Sequence, residues 1–212
     1  VIRTGLVFVL LMTLTRVIFY FFFNNQGNPI TNLVATFFLG LRFDFRSASL
    51  LVLPMFLLAR FSPLNPFTSQ RAKRGWMIYW GIASLLLVFF YVVDFAHYAY
   101  LGQRLNASIL NYLQDAGISM DMVWQSYPVL RLVLLLAGGT LIITWIINRT
   151  FLLVAGTYGD NKKKKGWPGS LGLFFLIAFF LFGRFSQYPL RWSDAFGLGN
   201  DYKANLALNP FE

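Results

Sequence analysis

Arg42, Asp44 and Arg46 stand in a run, Leu33 to Phe61, that is otherwise mostly apolar. A charge in such a setting needs a counter-ion or a wet cavity, because a lone one in hydrocarbon costs free energy. Arg42 and Arg46 are spaced i, i+4 and share one face of a helix. Asp44 lies about 200° round from Arg42, so neither arginine bridges to it within a regular helix, and its partner must come from another element. Asp94 and Arg184 sit at the ends of two further apolar runs. Counted at 1.5 Å per residue from the ends richest in Lys and Arg, Arg46 stands about 22 Å up, Asp44 about 25 Å, Arg42 about 28 Å, Asp94 about 27 Å and Arg184 about 26 Å. Five charges from three runs therefore share one level, near the outer boundary of a hydrocarbon core about 30 Å thick.

The chemistry open to such a set is recognition of an anion. Guanidinium forks match phosphate oxygens bidentately. Arg42, Arg46 and Arg184 would surround a lipid head group or other anion, with Asp44 and Asp94 orienting them. The competing reading is that all five make interhelical ion pairs or snorkel, and the three-to-two excess of arginine favours the pocket. In that cluster Arg42 or Arg46 is expected within salt-bridge reach of Asp94, with Arg184 nearby. Arg16, in the middle of the first apolar run, is either the partner of Asp44 or a snorkelling residue. His97, Arg104 and Arg191 are secondary candidates. His97 lies beside Asp94 and Tyr98, but a single histidine with no second ligand or nucleophile nearby reads as an interfacial aromatic before it reads as a base. Asp115 and Asp121 lack a third carboxylate and read as a solvated helix face. No metal site is expected in this chain, and no cofactor. There is no cysteine, no histidine pair to hold a haem and no glycine loop to cradle phosphates.

The elements that must position these charges follow from composition. Of 212 residues 57% are hydrophobic, 19% aromatic and only 12% charged, which excludes an ordinary soluble globule. Five apolar runs reach or approach the length needed to cross a bilayer, at about 5–23, 33–61, 76–95, 129–147 and 167–182. The expected fold is an all-α membrane protein of five transmembrane helices. No small-residue cleavage site follows the first run, so it is expected to remain as a helix. Pro54 removes a backbone bond from the second run and is a source of a kink there. Gly138 and Gly139 allow close helix approach in the fourth. Between the third and fourth runs, Leu105, Ile109, Leu110 and Leu113, then Ile118, Met122 and Val123, recur at helical spacing. Two short interfacial helices broken at Gly117 are expected there.

The formal charge of +10 is dispersed among the connectors, so it records orientation and does not form a nucleic-acid surface. Ten basic residues (Arg3, Arg60, Arg71, Lys73, Arg74, Arg149 and Lys162 to Lys165) fall on one side, and five (Arg104, Arg131, Arg184, Arg191, Lys203) on the other. The N-terminus is therefore expected in the cytoplasm and, after five crossings, the C-terminus outside. Residues 1–183 form the expected membrane domain, and 184–212 an extracytoplasmic juxtamembrane linker.

Gly40 to Arg46, the stretch Asp94 to Tyr98 ahead of Arg104, and Arg184 to Phe196 with Leu206, Ala207, Leu208, Asn209 and Pro210 together resemble one family. The chain looks like the membrane half of the lipoteichoic acid synthase-like proteins of the alkaline phosphatase and sulfatase superfamily. The resemblance implies a bacterial cytoplasmic-membrane protein that anchors, and presents lipid to, a metal-dependent transferase of phosphoglycerol or phosphoethanolamine type, or a sulfatase-like hydrolase. The threonine nucleophile and the divalent metal, Mn or Mg, would belong to an extracytoplasmic domain absent from these 212 residues. No catalytic residue is carried over to this chain. The implied partner is a phospholipid, most simply an anionic one. The alternative is a non-catalytic accessory subunit of a larger membrane protein complex, contributing helix packing and bound lipid, which the Phe-rich spans would suit.

Overall fold

The computed structural model describes residues 1–24, 30–105, 124, 129–160 and 167–212. Every element among the described residues is helical: α1 (Ile2–Phe23), α2 (Val34–Leu58), α3 (Gln70–Leu101), α4 (Val129–Asp160), α5 (Trp167–Phe182) and α6 (Asp201–Ala207), with short 3-10 turns at Ile30–Leu33, Ser62–Leu64 and Trp192–Leu198. Three helices are long and apolar enough to cross a membrane: α1, α3 and the Val129–Val154 part of α4. α2 has the length, with 25 residues, but carries Arg42, Asp44 and Arg46. The apolar stretch of α5, Gly169–Phe182, is short. The expected interfacial helices around Gly117 lie outside the described residues.

Three element boundaries depart from the apolar runs, the two ends of α3 for local reasons. α3 starts at Gln70, six residues before Trp76, because the Ser69 side chain accepts the Ala72 N–H and so satisfies one of the orphan donors of the first turn. It also runs past Phe95 to Leu101, where Gly102 at φ 68° closes it in the left-handed conformation that glycine adopts without penalty. His97 and Tyr98, expected in a surface segment, are thus still on the helix. α4 likewise continues beyond Ile147 to Asp160.

α2 lies between α1 and α5, and α3 pairs with α4. The shared core holds Phe8 and Met12 of α1, Val52 and Met55 of α2, Trp80 and Leu87 of α3, and Ile147 and Phe151 of α4. The rings of Phe8 and Trp80 meet at 5.6 Å, a contact worth about 0.5–1.5 kcal/mol beyond area burial. A side chain at Gly139 would press on Val88 of α3, whereas Gly138 faces open space, so one of the two glycines marks the close approach. Much of what the helices show outward is large and apolar, including Leu10, Phe21, Ile78, Leu130 and Leu141. That pattern suits a hydrocarbon solvent.

The largest departure from the sequence reading is the C-terminal segment. Residues 184–212, expected as a linker, fold back against the bundle. Gly183 at φ 76° turns the chain out of α5, and Leu190 returns to it, its N–H donating to Phe182 O at 2.8 Å. Leu190, Ala195, Ala204 and Ala207 are buried around Phe43 of α2, and Tyr202 and Leu206 against Phe19, Tyr20 and Leu33. Asn200 caps α6 by accepting the Tyr202 N–H. Small and apolar residues at the contact positions let a seven-residue helix, marginal by itself, hold its shape through packing.

Candidate functional site

α6 ends against α1, α2 and α3, and its last carbonyls have no partner within the helix. Two buried arginines supply the donors. Arg16 of α1, 2% exposed, donates through Nη1 to Ala207 O at 3.0 Å and through Nη2 to Asp44 Oδ1 of α2 at 2.6 Å; Asp44 is fully buried. Arg104, 6% exposed, donates through Nε to Asn205 O at 2.8 Å and through Nη2 to Leu208 O at 2.9 Å. Its Nη1 is ion-paired with Asp94 of α3, which is fully buried. Cations are favoured at a helix C-terminus by the peptide dipoles, so the two guanidiniums are held by the helix end as well as by the carboxylates. Burial works against the charge of Arg104, and Asp94 supports it.

Each carboxylate is further satisfied. Asp44 accepts from Thr13 Oγ1 at 3.2 Å and from Asn209 Nδ2 at 3.3 Å, the latter amide also reaching Ser47 Oγ. Asp94 accepts from the Leu105 N–H at 2.9 Å. The Arg104 guanidinium also lies 4.1 Å over the ring of Phe19. The Arg16 guanidinium runs across Gly40, and a methyl group there would collide with it. Only glycine at position 40 leaves Arg16 this route to Asp44.

The remaining sequence candidates are arranged differently from the cluster expected for them. Asp94 is taken by Arg104, and neither Arg42 nor Arg46 forms a salt bridge to it. The reason is azimuth: equal depth on three helices does not turn the side chains towards one another. Arg46, 30% exposed, donates to Leu190 O at 2.6 Å and to Glu212 Oε2 at 3.3 Å, while Ser47 Oγ donates to Glu212 Oε1 at 3.4 Å. Burial pushes the Glu212 carboxyl up, with Arg46 opposing. Arg184, 38% exposed, pairs with Asp194 at 3.0 Å. Arg42 leans over the Phe38 ring at 5.6 Å and makes no salt bridge among the described residues. Arg191 stands over Tyr188, and His97 Nδ1 donates to Gln103 O at 2.8 Å beside the end of α3.

The two groups have different chemical capacities. Asp44 and Asp94 are consumed by Arg16 and Arg104, a structural fastening. Arg42, Arg46 and Arg184 are partly exposed and retain donors, since a guanidinium offers five N–H groups. Among the described residues no three His, Asp or Glu side chains converge, so they offer no ligand set for a metal. Ser47 and Glu212 were not singled out from sequence, and Gly40 and Asn209 only as parts of the stretches that carry the resemblance. The signal for Arg16 was present: it stands about 20 Å above Arg3 on a helix, close to the level of Asp44. No protein-family model, curated protein or solved structure matches this chain.

Proposed function

We propose that this chain is a five-span membrane domain, cytoplasmic at its N-terminus, that anchors and presents lipid to a transferase resembling the lipoteichoic acid synthase-like proteins, at the outer face of a bacterial cytoplasmic membrane. The observation that carries this reading is the locked C-terminal segment: residues 205, 207, 208 and 209 are bonded to side chains of α1, α2 and of the turn after α3. A membrane anchor that merely retained a domain would need no such fastening. One that must hold a catalytic domain at a fixed height over lipid head groups does. Arg46 is bonded to this segment, Arg184 leads into it and Arg42 stands one helical turn from Arg46 on α2; these three are the groups we assign to the head group of an anionic phospholipid. The divalent metal and nucleophile belong to the extracytoplasmic domain expected from the resemblance.

The deciding experiment is the intact mass of the native gene product purified from its source. A mass well above 24.3 kDa supports the transferase reading, and a mass at 24.3 kDa supports the accessory subunit instead. Orientation is tested separately. Because the chain has no cysteine, Ser62→Cys and Ser193→Cys, both at exposed positions, give labelling without background. An impermeant maleimide added to intact cells is expected to label Ser193→Cys alone. Labelling of Ser62→Cys alone would invert the topology.

A further inference from the structure

α5 is short for the crossing proposed for it. Its 16 residues give about 24 Å, against a hydrocarbon core of about 30 Å. The outward face of the helix carries Phe175, Phe179 and Phe182 at i, i+4, i+7, all exposed. Phe185, three residues beyond the helix end, prolongs this stripe: its ring lies 4.7 Å from that of Phe179. The rest of the Phe185 side chain is bare, and the residue is 90% exposed.

Residues 184–189 form a closed loop, with Gly183 and Leu190 as its neck. The Leu190 N–H returns to Phe182 O, and a methyl group on Gly183 would stand 2.7 Å from Leu190 Cβ, so the two strands of the neck touch. Leu190 is buried beside Phe43 of α2, which fixes the neck to the bundle. The tip carries Phe185 and Tyr188, the latter 62% exposed, with Ser186 and Gln187 between them. The Arg191 guanidinium stands 5.6 Å over the Tyr188 ring. A loop closed on the last turn of a helix stays near the level of that turn, so this aromatic tip is held where α5 runs out.

We propose that loop 184–189 is a membrane-interface foot: the Phe185 ring seats among the acyl segments nearest the glycerol, Tyr188 sits at the polar boundary, and together they complete the crossing that α5 leaves short. The proposal rests on α5 being a span and otherwise goes beyond the function proposed above, since it needs neither the transferase resemblance nor a charged head group. Continuity favours lipid over a protein partner. The ring contact joins Phe185 to a stripe that faces hydrocarbon once α5 spans, and Tyr188, with an apolar body and a hydroxyl tip, is of the type that settles at a membrane boundary. A span shorter than the core is accommodated by flanking side chains that reach the interface, and this loop places two of them. Because the neck already orders the loop, seating it gives up little conformational entropy.

The test places one nitroxide at a time on Phe175→Cys, Phe185→Cys, Tyr188→Cys or Ser193→Cys, all exposed positions in a chain with no cysteine. Each protein is reconstituted into phosphatidylcholine vesicles and read by electron paramagnetic resonance for collision with oxygen, which concentrates in hydrocarbon, and with a nickel chelate, which stays in water. Phe175, midway along α5, is the hydrocarbon reference and Ser193 the aqueous one. The Phe185 site is expected to favour oxygen over nickel several-fold more than Ser193 does and to approach Phe175, with Tyr188 between. A second measurement uses the unaltered chain, so that the outcome does not depend on a variant folding: phosphatidylcholine with a carbene precursor beside its glycerol should label residues 184–189 several-fold more than the same lipid with the precursor at a chain terminus. Nickel contact at Phe185 equal to that at Ser193 would overturn the foot and leave the loop in water. Shielding of Phe185 from both reagents, with no carbene label on 184–189, would overturn it in favour of a protein cover, a second copy or a further domain. A Phe175 label in water would remove α5 from the membrane altogether, whereas Phe175 in hydrocarbon with Phe185 in water removes the foot alone, so the two readings fail separately.

Discussion

Arg104→Met is expected to destabilise the protein by about 3–5 kcal/mol and to release the C-terminal segment. The size of the effect comes from what remains behind. Asp94 stays fully buried with its cation gone, keeping among the described residues the Leu105 N–H, and the carbonyls of Asn205 and Leu208 lose these donors. Methionine replaces the apolar stem and so separates loss of charge from loss of packing. Arg104→Lys should be intermediate, since an ammonium is a point charge on a flexible stem and cannot reproduce a fork that reaches a carboxylate and two carbonyls at once. Unfolding free energy in detergent checks the magnitude, and limited proteolysis checks the release: new cleavage is expected between Gly199 and Asn209. A variant within 1 kcal/mol of wild type and equally resistant to protease would show that the segment is held by apolar packing alone.

Asp44→Leu should cost a similar amount, about 3–5 kcal/mol, by stranding Arg16 in the core with one backbone carbonyl for company. Here the informative comparison is the double variant. Arg16→Met with Asp44→Leu removes both charges, and replacing a buried pair by apolar groups of similar size is often close to neutral, so most of the loss should return. Recovery will be incomplete, because Ala207 O and Asn209 Nδ2 each lose a partner. Because Arg16→Met alone would in turn strand the buried Asp44, the double should cost less than either single, and the thermodynamic cycle should return a coupling larger than either single loss. A double variant whose loss equals the sum of the two single losses would mean that the pair does not act as a unit.

The helices were legible because their signal is long and uninterrupted: α1 and α5 end at Phe23 and Phe182, as their apolar runs do. The start of α3 was not, because Gln70 to Gly75 are polar, and a helix leaving the membrane loses the apolar signal before it loses its hydrogen bonds. The candidate site was legible in one dimension only. Rise per residue sets the depth of Asp44, Asp94 and Arg46, but the rotation of one helix about its neighbour is a property of packing, and that rotation gave Asp44 to Arg16. The pairing of Arg104 with Asp94 depends on the left-handed turn at Gly102, which reverses the chain and returns a residue ten positions later to the same helix end. Residues 184–212 were hidden for a further reason. Their two helical pieces are seven residues each, too short for a period to repeat, and several of their fastenings are to backbone carbonyls that any residue carries.

The reversal at Gly183 determines how the protein bears load. A pull applied at residue 212 does not travel first down the covalent chain into α5. It falls on α2 through Arg46, Ser47 and Asp44, then on α1 and the end of α3 through Arg16 and Arg104, so several bonds to three different helices must shear together before the segment can peel. A segment hung from one helix can swivel about that helix's axis. One fastened to neighbouring helices at separate azimuths resists torque as well as tension.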